Sequence, residues 1–123
     1  MNLSLKTVFA TLASPNLERS VDFYQRLCDR PPSAYRPDSY AEFHLPGLRL
    51  GIFQPRTADA AEFGDRSSGR FSLCLEVDDL DSAIAHLTDL GYPPPGEVIE
   101  ASYGREIYAF DPDGNRLILH QGN

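Results

Sequence analysis

The sequence predicts an α+β fold made of two βαβββ modules in tandem, forming a mixed sheet with helices on one side. Three observations lead there. FATLASPNLERSVDFYQRL (9–27) and SLCLEVDDLDSAIAHLTDL (72–90) run through the same features in the same order: a period-two run, a turn or capping residue, then apolar residues at helical spacing. GLRLGIFQ (47–54) and GNRLILHQ (114–121) coincide at Gly, Arg, Leu and Gln, and Ile52 answers Leu119. Each helix is thus followed by a matching strand, with room between them for two more. A repeated unit accounts for this better than coincidence.

The first strand alternates through Val8, Ala10 and Leu12. Asn16 stands where an N-cap acceptor satisfies orphan N–H groups, and Leu17, Val21, Tyr24 and Leu27 share one helix face. Strands over about 33–37 and 39–45 precede the one at 47–54. PRTADAAEFGDRSSG (55–69) is rich in small, polar and turn residues, which predicts a mobile surface loop, with a lid as the alternative. The second copy opens on Phe71, Leu73, Leu75 and Val77 and is capped by Asp79. Its helix carries Leu80, Ile84, Leu87 and Leu90 and stops at Gly91. Strands over about 96–101 and 104–110 follow, then the Asp-Pro-Asp-Gly turn and the last strand. The expected organisation is one domain over 1–123: module one 1–54, linker 55–69, module two 70–123.

Composition narrows the class. An apolar content of 41% with 11% aromatics suits a globular chain with an ordinary core. The formal charge of −7 repels phosphate backbones and anionic lipid, so neither nucleic acid nor membrane is an expected partner. Cys28 and Cys74 form no Cys-x-x-Cys pair and read as free thiols of a reducing compartment. Lys6 interrupts the opening apolar stretch, which reads as a strand rather than a secretory signal. No run is long enough to span a bilayer, and a cytoplasmic location is expected.

Alternation sorts the strands into two faces. Val8, Ala10, Leu12, Leu48, Leu50, Ile52, Phe71, Leu73, Leu75, Val77, Leu117 and Leu119 form the set expected beneath the helices. The opposite parity mixes charge, hydroxyl and ring: Phe9 and Thr11; Arg49, Gly51 and Phe53; Arg70, Ser72, Cys74 and Glu76; Arg116, Ile118 and His120. Tyr40, Glu42 and His44 share one face of their strand. Aromatics on such a face point to a ligand cleft.

The helix NLERSVDFYQRL, the junction LEVDDLDSAIAHL and the terminal FDPDGNRLIL closely resemble the vicinal oxygen chelate superfamily, which includes glyoxalase I, bleomycin-resistance proteins, fosfomycin-modifying enzymes and extradiol dioxygenases. The resemblance covers nearly the whole chain. It implies that the paired modules curl into a cup-shaped sheet with helices on the convex face, commonly in a homodimer. In metal-dependent members one ligand comes from each of four cup-lining strands, and the matching positions here are Phe9, Gly51, Ser72 and Ile118. A divalent ion needs converging imidazole or carboxylate donors. Phe9, Gly51 and Ile118 offer none and a serine hydroxyl is a poor one, so no metal and no other cofactor is expected.

The resemblance therefore points to the metal-free, antibiotic-sequestering members, which bind cationic aromatic drugs. The expected function is sequestration of a small organic, cationic aromatic ligand in the cup of a homodimer. Expected ligand contacts are Phe9, Thr11, Tyr40, His44, Arg49, Phe53, Ser72, Cys74, Glu76, Arg105, Tyr108, Phe110, Arg116 and Ile118. Glu76, His120 and Glu42 are the acid–base candidates of the alternative, a metal-independent isomerase or lyase. For Glu76 that role requires burial and a raised pKa. Arg49 and Arg116, at equivalent places in the two copies, also fit a structural salt-bridge network. The remaining alternatives are a glyoxalase-type metalloenzyme and a partner-binding module without a small ligand.

Overall fold

A computed structural model describes residues 3–64 and 69–123. The chain divides into two compact units, Met1–Gly64 and Asp65–Asn123. The first unit contains β1 (Ala10–Ala13), α1 (Leu17–Cys28), β2 (Ala34–Arg36), β3 (Tyr40–Leu45), β4 (Leu48–Phe53) and a 3-10 helix (Thr57–Phe63). The second contains β5 (Leu73–Glu76), α2 (Leu80–Leu90), β6 (Ile99–Ala101), β7 (Gly104–Phe110) and β8 (Arg116–Gln121). The sheets have the same topology. The first has the order β1-β4-β3-β2 and the second β5-β8-β7-β6, and in each only the pair formed by the first and last strands is parallel. This is the βαβββ unit, twice.

Helix placement follows from the apolar parity. Leu50 and Ile52 of β4 and Ala41 and Phe43 of β3 are fully buried, and α1 packs on these strands with Leu17, Val21, Phe23 and Tyr24. Tyr24 meets Phe43 at 6.4 Å between ring centroids. In the second unit Leu117 and Leu119 of β8 are buried with Leu80 and Leu87 of α2. Both expected caps form, since Asn16 Oδ1 accepts from Arg19 N–H and Asp79 Oδ1 from Ser82 N–H. Gly91 closes α2 at φ +96, where a Cβ would be strained.

The glutamine shared by the two last strands has a physical reason. Leu17 N–H donates to Gln54 Oε1 at 3.2 Å, and Leu80 N–H donates to Gln121 Oε1 at 2.7 Å. Gln54, just past β4, and Gln121, at the end of β8, each thus satisfy an orphan donor at the start of their own module's helix.

Two expectations are corrected. Val8 and Phe71 are 75% and 69% exposed rather than buried, because β1 begins only at Ala10 and β5 only at Leu73. The 55–69 segment is not a plain loop, because Thr57–Phe63 forms a 3-10 helix. Arg56 Nε donates to Asp59 Oδ2 across its first turn, and Phe63 packs edge-on against Phe53, 5.1 Å between centroids. Residues 65–68 of that expected loop lie outside the described residues.

Candidate functional site

The mixed face of the first sheet is laid out in rows by strand register. Thr11, Gly51 and Glu42 stand opposite one another across β1, β4 and β3, and Ala13, Phe53 and Tyr40 form the next row. Arg49 pairs with His44 on the other side of Gly51. Phe9, just ahead of β1, lies against Arg49, whose guanidinium carbon is 4.4 Å from the ring centroid. Glu42 is the electrostatic centre. Tyr40 Oη donates to its Oε1 at 2.8 Å, His44 Nε2 is 2.8 Å from Oε2, and Arg49 Nε is 3.8 Å from Oε1. The His44 and Tyr40 bonds hold the Glu42 carboxyl below the usual carboxylate range. Desolvation, then the bond to Glu42, pushes the Tyr40 phenol up.

The second sheet's mixed face has three rows: Arg116 with Phe110, Cys74 with Ile118 and Tyr108, and Glu76 with His120 and Glu106. Ser72 joins the first of these, because Arg116 Nε donates to Ser72 Oγ at 2.8 Å while Nη2 donates to Gly69 O at 2.7 Å. Cys74 is exposed, and desolvation raises its thiol pKa, helped by Glu76 and Glu106, so it is kept as the unreactive thiol.

Arg105 is a correction. It pairs with Gln121 on the opposite parity and lies 3.4 Å from both Asp81 of α2 and Glu100 of β6. Alternation through β7 instead turns Glu106 toward the mixed face, where it accepts from Tyr103 Oη at 2.8 Å. The signal was present in the sequence, since Glu106 shares parity with Tyr108 and Phe110.

The acid–base candidates are tied to one another. His120 Nδ1 lies 2.6 Å from Glu76 Oε1 and Nε2 lies 3.2 Å from the Tyr103 carbonyl, while Gly122 N–H donates to Glu76 Oε2. Carboxylate and carbonyl are acceptors only, so both bonds require ring N–H groups and describe an imidazolium. Tyr103 stacks on that ring, 5.7 Å between centroids. The Glu76 bond raises the His120 pKa, and the His120 bond, then the Gly122 N–H, lowers that of Glu76. The raised carboxyl that a Glu76 base needs is therefore replaced by a lowered one.

A pH dependence of stability follows. His120 stabilises fully below its unfolded pKa and loses this as pH rises through its raised folded value. Glu76 stabilises fully above its unfolded pKa and loses this as pH falls through its lowered folded value. Both contributions are complete only between about pH 4.3 and about pH 6.5. The stability difference between the natural chain and His120→Gln, measured by urea unfolding, is expected to be largest in that window and to shrink toward alkaline pH. A difference that stays flat from acid to base would exclude the imidazolium.

The positions implied for metal ligands do not fit a divalent ion. Phe9 carries no donor and stacks on Arg49, Ser72 accepts from Arg116, and Ile118 is a hydrocarbon beside Cys74 and Tyr108. At Gly51 a Cβ would lie 2.6 Å from Tyr40 Oη and 3.0 Å from Cε1, so the Tyr40 ring covers the place a ligating side chain would take. Among the described residues, no group of three or more His, Cys, Asp or Glu is arranged to hold a metal ion. Nor is any described helix long and apolar enough to cross a membrane.

Comparison with known proteins agrees with the topology. The family model of the Glyoxalase/Bleomycin resistance protein/Dioxygenase superfamily matches residues 6–119. Among solved structures, a protein of Agrobacterium tumefaciens determined by NMR is 24% identical, with a TM-score of 0.77 over 94% of this chain and 95% of that one. The fosfomycin resistance protein FosX from Listeria monocytogenes is 18% identical, with a TM-score of 0.76 over 98% and 96%. A lactoylglutathione lyase from Agrobacterium tumefaciens is 18% identical, with a TM-score of 0.73 over 97% and 96%. At these identities the likeness is one of fold.

Proposed function

Because the chain belongs to the glyoxalase/bleomycin resistance protein/dioxygenase superfamily, we propose that it is a metal-free member that binds and sequesters a small organic molecule in the cup of a homodimer. One observation carries this reading: Phe9, Gly51, Ser72 and Ile118 stand at the positions the resemblance implies for metal ligands, and the space over Gly51 belongs to Tyr40. Affinity then comes from shape, ring surface and a few polar groups, with no acid or nucleophile to tune. Phe9, Tyr108 and Phe63 are 38%, 44% and 50% exposed, which is apolar surface a ligand would cover. Exposed Leu5, Val8 and Phe71 support a homodimer, and the two free thiols suit a cytoplasmic protein. Glu42 and Glu76, carboxylates of the mixed faces that a cation would need, already accept bonds from Tyr40, His44, His120 and Gly122. This weakens the argument for a cationic ligand.

The test is elemental analysis of protein purified with zinc, nickel, manganese and iron present, paired with a thermal-shift screen of aromatic metabolites and drugs. Metal well below one ion per chain is expected, together with organic hits that stabilise by about 2.7 kcal/mol at about 100 times Kd. One firmly held ion per chain would overturn the proposal.

A further inference from the structure

Arg49 and Arg116 are the repeated arginines of the two modules, and the structure leaves them in opposite states. Arg116 is satisfied, with Nε on Ser72 Oγ and Nη2 on Gly69 O. Phe9 is the first copy's counterpart of Ser72, at the same place in the 9–27 and 72–90 match. A hydroxyl acceptor has thus become a ring face. Arg49 stacks on that ring, and its Nε is buried with no hydrogen-bond partner. Nη1 and Nη2 also bond to nothing among the described residues, yet they are not sealed from solvent as Nε is. The nearest carboxylate, Glu42, lies 3.8 Å from Nε, and both its oxygens are engaged by Tyr40 and His44.

Stacking uses the guanidinium's face and leaves its N–H groups in plane, a fixed fork that matches two oxygens of one anion. An arginine whose donors have no protein acceptor is costly unless something else supplies one. Ring surface adjoins it. Tyr40 lies over Gly51, two residues along β4, and Phe53 with Phe63 lies two residues beyond that. Glu42 sets the charge limit, since its neighbouring negative charge disfavours a dianion such as phosphate and tolerates a single one.

We infer that Arg49, stacked on Phe9, is the recognition point for the carboxylate of a flat aromatic acid whose rings lie along Tyr40 toward Phe53. This rests on the sequestration reading and gives it a ligand class opposite in charge to the cation the family resemblance implied.

Three probes of one shape test it on the full chain: 2-naphthoate, 2-naphthamide and 2-naphthamidinium, titrated by calorimetry and followed by NMR. Naphthoate is expected to bind about tenfold or more tighter than the amide, as a charge-assisted bond allows. Arg49→Gln should bring the two to parity. Phe9→Ser, which offers Arg49 the acceptor that Arg116 has, should narrow the carboxylate-to-amide ratio while leaving the charge in place. That ratio cancels lost ring contact, and it remains readable if Arg49→Gln does not fold. Equal or tighter binding of the amide or amidinium overturns the inference but leaves sequestration standing, as does a ratio unmoved by both variants. No binding by any probe at millimolar concentration overturns the inference. If the protein also holds a stoichiometric metal ion, the sequestration reading falls with it.

Discussion

Asp111→Ala is expected to destabilise the second module by roughly 3–4 kcal/mol. Asp111 opens the Asp-Pro-Asp-Gly turn and is only 4% exposed. Its Oδ1 accepts from the backbone N–H of Asp113 and of Asn115, both at 2.9 Å, and its Oδ2 accepts from Asn115 Nδ2 at 2.8 Å. Gly114 completes the turn at φ +85. Removing the carboxylate leaves two backbone donors and an amide without their acceptors in a tight, half-buried turn. The loop delivers β8, whose Leu117 and Leu119 are core residues, so the damage reaches the sheet. Asp111→Asn separates the causes. Its remaining carbonyl can keep both backbone bonds, and a flipped Asn115 amide can accept from the new NH2 group, so about half the loss is expected. Urea unfolding of the three proteins measures this. Equal losses for Ala and Asn would mean that charge, not bonding geometry, is what the turn requires.

That turn shows what a sequence displays openly. Caps, turns and alternation are local rules, so Asn16, Asp79, Gly91 and the strand parities read correctly from neighbours a few positions away. The internal repeat extended them to topology, because any strand order assigned to one copy held for the other. What stayed hidden depended on where strands begin and on what a side chain meets across the sheet. Val8 and Phe71 have the right parity but precede the first ladder bonds, so they fail to reach the core. Arg105 sits among ring residues in the sequence, and although alternation alone sets it apart from Tyr108 and Phe110, only the fold brings Asp81 and Glu100 beside it. Glu76 reads as an isolated acid until His120 is placed opposite it on the neighbouring strand.

Gly51→Glu, which restores a ligand-type side chain at its position, is expected to cost roughly 2–3 kcal/mol and to confer no metal affinity. Two obstacles add. Tyr40 Oη and Cε1 would lie 2.6 and 3.0 Å from the new Cβ, so the ring must swing away and give up its bond to Glu42. Glu42 also stands directly opposite Gly51 across β3 and β4, so the new carboxylate faces a like charge. No left-handed backbone strain enters at this glycine, which leaves the cost with these two neighbours. Gly51→Gln keeps the clash and removes the repulsion, so it should fall between glycine and glutamate. Adding Tyr40→Ala to Gly51→Glu should recover part of the loss, giving a coupling of about 0.5–3 kcal/mol rather than additive penalties. Zinc or manganese titration of the double variant should still saturate nothing, because Phe9, Ser72 and Ile118 remain without ligating donors. A stoichiometric site in Gly51→Glu would mean that one missing side chain, rather than the whole set of four, separates this protein from metal chemistry.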